Sequence, residues 1–517
     1  MNRLQTYYEQ LQLPLKSLFF GSLLVAIGTI IPNPYVNSVL KLDSPILLSI
    51  SRVLLMSGGI ILAYFPLYVF IKLLSHEKNE PNIVVTGIIS YLAFLVSMLL
   101  LSPTTSPTAT YISALVIKLG DKQYMLYRTG IFGLIAIYLF VKNIYRKTSE
   151  KRHISNVSFA DRETVKMVFA IVGSSVIGML FAFGWPYFME MMYSIMEFIS
   201  QDVNNPMSLF AYGALERLMA LANLDVILHQ EFWLNTLGGT WMNLAGQSFV
   251  GDVNIWAGQL KETVNVFGAG RFTSAYYVMN IFAVPAYLIA ISTTISNKRA
   301  RNRNIGLLIA AILVSMVGGT LLPIEILMLL TSPTLYFFHL FATSFIYAIL
   351  SGFSVALGFS FFGNLLSATP GNIIDLMGIS YNTVLVSKVF ILLLVGIIVF
   401  LVYFSFTRLY FNKLALDVLS ITNKQQRIED FTEGLGGVSN IETVSSTLTR
   451  IHVELRERED LNIAALHRQG VTRIVETRQG FVLSIGSPAY MIQKAINKNM
   501  KTYRAIHEVE EVEENEG

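Results

Sequence analysis

The chain has no cysteine among its 517 residues, which excludes disulfides, thiolate metal sites, iron–sulfur clusters and a cysteine nucleophile together. Charge is scarce as well: 14% of residues are Asp, Glu, Lys or Arg, 53% are hydrophobic, and the mean hydropathy is +0.55. Soluble domains carry about 25% charged residues, so this composition defines a membrane protein. No GxxxxGK[ST], HExxH or GxGxxG motif occurs, and nothing supports a metal, a nucleotide or any other cofactor. The net charge of +4 is divided between basic loops and an acidic tail, which argues against a nucleic-acid partner. No small-residue cleavage signature follows MNRLQTYYEQLQLPLK, so no cleavable signal peptide is expected.

Long apolar runs take the place of charge. They fall near Leu18–Ile31, Ile46–Leu74, Ile83–Leu101, Ile131–Val141, Val165–Phe198, Phe272–Ile295, Ile305–Leu330, Leu335–Phe362 and Val384–Tyr410. Several approach or exceed the ~20 residues that cross a bilayer, and splitting the longest gives about ten helical spans; a barrel would show short alternating segments instead. Lys142, Arg146, Lys147, Lys151 and Arg152 in one loop and Lys298, Arg299, Arg301 and Arg303 in another place those loops in the cytoplasm. Arg408 and Lys413 put the C-terminal part on the same side. The Lys298–Arg303 cluster could also touch anionic lipid or the soluble domain.

Two stretches break the pattern. Residues 200–270 mix short apolar pieces with NTLGGTW, FVGDVN and FGAGRF, which suits either a substrate cavity or a long extramembrane loop, because irregular backbone at membrane depth must line protein or water. After Tyr410 the chain turns polar. The expected division is a membrane unit at 1–420, a linker at 421–430 (containing NKQQRIE), a small soluble α+β domain at 431–500 and an acidic tail at 501–517. In the α+β domain RIHVEL, RIVET and GFVLSIG read as strands and NIETVSSTL and PAYMIQKAI as helices. The tail, HEVEEVEENEG, reads as solvated.

The order of these features resembles the glucose superfamily of bacterial phosphotransferase-system sugar permeases, a membrane C component fused to a soluble B component. YEQLQLPLKSLFFGSLLVAIGTIIPNP and FPLYVFIKLLSHEKNEPNIVVTGIISYLAF are similar to the opening spans. GALERLMALANLDVILHQEFW, from Gly213 to Trp233, resembles the family segment GxxERLLxPFGLHHxxxxPFW. Glu216, Arg217, Leu218, Leu224, Phe232 and Trp233 match, while the paired sugar-binding histidines fall on Asp225 and Val226. GDVNIWAGQL and the following AGRF resemble the next loop. NRNIGLLIAAILVSMVGGTLLPIEILMLLTSPTLYFFH resembles the signature GITEPIEF with its flanks: Gly319, Pro323, Ile324 and Glu325 match, and the family's first glutamate is replaced by Leu322. LGGVSNIETVSSTLTRIHVEL resembles the B-component segment LGGxxNIxxxDACxTRLRVxL, with Thr447 at the phosphocysteine position and Thr449 and Arg450 in the phosphate-binding places.

The resemblance implies a multi-pass protein of the bacterial cytoplasmic membrane with a cytoplasmic C-terminal domain, a carbohydrate ligand, homodimeric assembly and a phosphocarrier, another B component or a regulatory protein as partner. It does not imply a working relay. Phosphoryl transfer through cysteine needs a thiolate that attacks and then leaves, and a threonine ester is a dead end. Leu322 supplies no base for a sugar hydroxyl. Glu325, one helical turn along, could replace it or could simply pair with Arg217 or backbone groups beside Pro323. Glu216, Arg217, Asp225, His229, Glu231 and Glu325 would share one pocket, since ionisable groups at membrane depth face a cavity or a partner. Glu216–Arg217 is expected as an ion pair that fixes the fold. His229 reads equally as a pocket residue and as an interfacial histidine, and a helical segment would put it on one face with Asp225. Trp233 could stack on a sugar or anchor at the interface, and Trp241 reads as an anchor. The expected function is a sugar permease homologue with doubtful phosphorylation, whose enzymatic status is open. The alternatives are a membrane sugar sensor and a non-phosphorylating facilitator.

Overall fold

Backbone groups in hydrocarbon must be satisfied within their own segment, and the apolar runs meet that demand as helices. The computed structural model describes residues 11–42, 44–77, 82–102, 115–119, 122–148, 162–262, 264, 268–294, 298–414 and 424–516. The membrane part begins with α1 (Gln12–Ile30), α2 (Pro34–Leu40), α3 (Pro45–Ala63), α4 (Phe65–Leu74) and α5 (Ile83–Leu101). A hairpin, β1 (Leu115–Leu119) with β2 (Lys122–Leu126), precedes α6 (Gly130–Thr148) and the long α7 (Arg162–Ser200). Then come α8 (Pro206–Leu221), α9 (Asp225–His229), a hairpin of β3 (Thr240–Met242) and β4 (Ser248–Val250), and α10 (Asp252–Lys261). The chain continues through α11 (Ser274–Val278), α12 (Val284–Thr294), α13 (Lys298–Gly318), α14 (Leu322–Thr331), α15 (Pro333–Gly352), α16 (Ile373–Ser380) and α17 (Val386–Leu409).

Among the described residues seven helices are long and apolar enough to cross a membrane, and Phe65–Leu74, Leu308–Gly318 and Leu322–Thr331 are apolar but shorter. The run expected at Ile46–Leu74 is cut in two at Tyr64, where Pro66 starts a new helix. The run at Ile305–Leu330 is cut at Gly319–Leu321, with Gly319 at φ +57°, a conformation natural to glycine. Tight helix pairs rest on small residues, as is usual where no hydrophobic force joins helices. A Cβ on Gly58 of α3 would come 2.5 Å from the Gly21 carbonyl of α1. One on Gly213 of α8 would come 2.6 Å from the Tyr347 ring of α15.

The C-terminal part consists of α18 (Lys424–Gly434), β5 (Ile441–Ser446), β6 (Arg450–Leu455), α19 (Ile463–Arg468), β7 (Arg473–Thr477), β8 (Gly480–Ser484) and α20 (Ala489–Glu516). Its antiparallel sheet has the order β5-β6-β8-β7, with Ile451, Val453, Leu483 and Ile492 in the core. One local expectation changes. NIETVSSTL supplies a strand rather than a helix, because Val444 pairs across Val453 in the β5–β6 ladder and β-branched residues suit that position. Of the expected linker, residues 421–423 lie outside the described residues and the rest opens α18. The acidic tail continues α20 as far as Glu516. Lys151 and Arg152 also lie outside the described residues.

Candidate functional site

Residues 200–270 contribute several residues to a cavity and also form a short hairpin. The β3–β4 hairpin projects partly exposed side chains, with Trp241 packed on Phe249 at 5.5 Å between ring centroids. Trp241 is thus part of the hairpin and does not line the cavity described next. Helix α8 is started by the Asn205 side chain, which accepts from the Met207 amide at 2.9 Å. One helical turn separates Tyr212 from Glu216, which places both on the face turned toward α15 and α11.

Around that face runs a fully buried hydrogen-bonded network. Arg217 donates from Nη1 to Glu325 Oε1 at 2.6 Å and from Nη2 to the Tyr276 hydroxyl at 2.7 Å. Its Nη2 also lies 3.0 Å from Glu216 Oε2. Glu216 accepts from the Tyr276 hydroxyl at 2.8 Å on Oε1 and from the Tyr347 hydroxyl at 2.9 Å on Oε2. His229 Nε2 is 2.9 Å from Glu216 Oε1, and His339 Nε2 is 3.0 Å from Glu325 Oε1. Tyr336 donates to the Arg217 carbonyl at 2.8 Å. The expected Glu216–Arg217 and Arg217–Glu325 contacts therefore coexist, with one guanidinium serving two carboxylates.

Beside the network lies a cavity of ≈ 130 Å³ lined by Arg217, Asp225, His229, Trp233, Leu322 and Glu325, together with Tyr276, Asn223, Arg128 and backbone of the breaks near Gly319 and Pro370. Two helix discontinuities contain or closely follow its lining residues Trp233 and Tyr276. The turn Gln230–Leu234 is a π-helix carrying Trp233, and a second π-helix, Met279–Ala283, follows α11. Such insertions are frequent at functional sites. Trp233 lies flat against His229, with centroids 3.9 Å apart and planes at 14°, and donates from Nε1 to the Tyr212 hydroxyl at 3.2 Å. Glu231 points elsewhere and accepts from Asn235 at 3.2 Å. Asp252, outside the candidate spans at the start of α10, accepts from the Gly270 amide at 2.9 Å. Burial pushes its carboxyl up to about 7 against the pull of Arg271 and nearby backbone amides.

The B-like residues are placed apart from this cavity. Thr447 begins the β5–β6 turn and donates its amide to the Arg450 carbonyl at 2.8 Å. The Thr449 carbonyl accepts from the amides of Ile485 and Gly486, both at 2.9 Å. Sequence reasoning missed Tyr212, Tyr276, Tyr347 and His339, together with Tyr403, whose hydroxyl lies 2.9 Å from His339 Nδ1. Their signal was a polar tip inside an apolar run, which a hydropathy window averages away. Among the described residues no three His, Asp or Glu side chains are grouped as metal ligands.

Broken helices meeting at a buried polar cavity inside an apolar bundle define a solute transporter of the membrane. Residues 9–344, more than half of the chain, match the family described as "Phosphotransferase system, EIIC". The chain belongs to that family and is a phosphotransferase-type sugar permease, an integral membrane protein. The glucose-specific EIICBA component of the phosphotransferase system of Staphylococcus saprophyticus subsp. saprophyticus is 24% identical over 515 residues, covering 96% of this chain and 73% of that protein. The solved IIC component of the N,N'-diacetylchitobiose-specific phosphotransferase system aligns with 79% of this chain and 94% of its own, at 15% identity and a TM-score of 0.31.

Proposed function

We propose that this chain binds a carbohydrate in the cavity beside Arg217 and His229 and carries it across the cytoplasmic membrane without phosphorylating it through its own C-terminal domain. The observation that carries this reading is on the cavity wall: Leu322 stands where the relay needs a base, and Glu325 is already held by Arg217 and His339. A carboxylate with a guanidinium at 2.6 Å gains little by taking a hydroxyl proton. Asp225, His229 and Trp233 offer an acceptor, an imidazole and a ring face, the chemistry that suits a sugar.

The domain at 431–500 is read as a B component without its thiol, joined to the membrane unit through 421–430 and facing the cytoplasm. Thr449 and Arg450 then serve the hairpin turn rather than a phosphate. The family's homodimeric assembly and a cytoplasmic protein partner are taken as further parts of this reading, and lipid surrounds the apolar helices. The glucose specificity of the staphylococcal relative makes a hexose the first candidate.

The test is uptake of a radiolabelled sugar panel into vesicles, with and without the phosphoenolpyruvate relay proteins. In vesicles with no imposed ion gradient, free internal sugar at equilibrium is the expected outcome. Phosphorylated internal sugar that depends on the relay proteins would overturn the reading. Absent uptake, together with thermal stabilisation by a sugar, would replace the permease by a sensor.

A further inference from the structure

The buried network holds one negative charge more than it balances. Its members in direct contact are Glu216, Glu325 and Arg217, with one histidine bonded to each carboxylate. Arg217 stays protonated in any protein environment. With both imidazoles neutral, two carboxylates therefore face a single cation. The cavity wall adds one group of each sign, Asp225 and Arg128, both reachable by solvent. An uncompensated charge at this depth is costly. Imidazole is the side chain whose charge changes between about pH 5 and 8, and one proton on one histidine closes the balance.

The two histidines differ in what surrounds them. His339 has both ring nitrogens engaged, Nε2 with Glu325 at 3.0 Å and Nδ1 with the Tyr403 hydroxyl at 2.9 Å. A neutral ring satisfies that pair, donating from Nε2 and accepting from Tyr403 at Nδ1. His229 engages only Nε2, with Glu216 at 2.9 Å and the Tyr276 hydroxyl at 3.3 Å. Its Nδ1 has no hydrogen-bond partner among the described residues, and the ring lines the cavity. An imidazolium here has a carboxylate at one nitrogen and the Trp233 face beneath it at 3.9 Å, an arrangement that attracts a cation. The other titratable groups around it are Arg217 and Tyr212 on α8, Asp225 on its own helix and Glu325 on α14, while Tyr347 on α15 reaches it through Glu216.

We infer that sugar translocation is coupled to one proton carried on His229 Nδ1, making the chain a proton–sugar symporter. The inference rests on the sugar site proposed above. A sugar hydroxyl oxygen accepts from Nδ1–H, a charge-assisted bond that exists only in the protonated state. Sugar and proton therefore favour each other's binding by the same factor. The proton comes from water on one side and returns to water on the other, so no further reactant is involved.

The experiment is isothermal titration of the full chain in lipid nanodiscs with glucose, maltose, N-acetylglucosamine and sucrose, at several pH values and in two buffers of different ionisation enthalpy. The expected result is that the sugar that binds takes up one proton, and that its affinity rises toward tenfold per pH unit lowered where imidazole is mainly neutral. His229→Gln is expected to flatten that slope, and His339→Gln to keep it. In proteoliposomes an inward proton gradient should concentrate the bound sugar above equilibrium, and a protonophore should abolish this. Zero proton uptake in the wild type with pH-independent affinity overturns the coupling alone, and needs no variant to fold. If none of the four sugars binds, the sugar-site reading falls and the coupling with it.

Discussion

Leu322 and Thr447 occupy the two places where the resemblance puts relay chemistry, and their surroundings have little in common. Leu322 borders a network in which one guanidinium serves two carboxylates: Arg217 holds Glu325 at 2.6 Å and lies 3.0 Å from Glu216. Thr447 lies in a hairpin turn held by its own amide and by the Thr449 carbonyl. In the membrane unit, removing the guanidinium leaves two carboxylates buried without their counter-ion. In the turn, backbone bonds carry the structure, and the side chain is free to change. This contrast explains how the hairpin keeps its shape with threonine in the cysteine position, while Glu216, Arg217 and Glu325 stand together.

The sharpest way to break the comparison is Arg217→Met. It leaves two buried carboxylates without a cation and should cost about 3–5 kcal/mol, seen as a large loss of thermal stability in detergent. The triple variant with Glu216→Gln and Glu325→Gln should recover much of that loss. If Arg217→Met unfolds at the wild-type temperature, the network is not what holds these helices. In the C-terminal sheet the equivalent weight lies on apolar contacts. Leu483→Ala should cost about 2–5 kcal/mol, read as faster hydrogen exchange in β6 and β8 with sugar affinity unaltered.

Asp252 sharpens the contrast through pH. The folded chain keeps its proton up to about 7, whereas an unfolded carboxylate releases it near about 4. The folded state therefore binds more protons in that window, so stability falls as pH rises through it and levels off above it. Thermal unfolding at a series of pH values should show this slope, and Asp252→Asn should flatten it. The smallest effect is expected for Thr447→Ala, within about 0.5 kcal/mol, since the Thr447 hydroxyl makes only a 3.4 Å contact with the Arg450 carbonyl. A destabilisation several times larger would show that the turn depends on its side chain after all.

Much of this architecture was legible before any coordinates. The apolar runs located the membrane helices, and the matching of Arg217 and Glu325 to family motifs marked two residues of the cavity wall, with Glu216 in the network behind it. The helix breaks at Tyr64 and Gly319 were hidden inside continuous apolar runs, because hydropathy records burial and not direction. NIETVSSTL was misread because its apolar spacing suits a short helix, while the pairing with β6 that makes it a strand lies in other residues. Tyr276, His339 and Tyr403 escaped notice because a single hydroxyl or ring nitrogen in an apolar run gains meaning only from its partner.

Composition alone determined that the chain belongs in a membrane, that its spans are helical and that it carries no thiolate of its own, since it has no cysteine. The tertiary structure decided how the surviving charges are spent. Arg217 and Glu325 are 108 residues apart in sequence and 2.6 Å apart in space, brought together by α8 and the broken α13–α14 segment. Which carboxylates meet the guanidinium, and which nitrogen of His229 they engage, depends on helix packing, because electrostatic pairing acts over a few ångströms and the chain reaches those distances only after it folds.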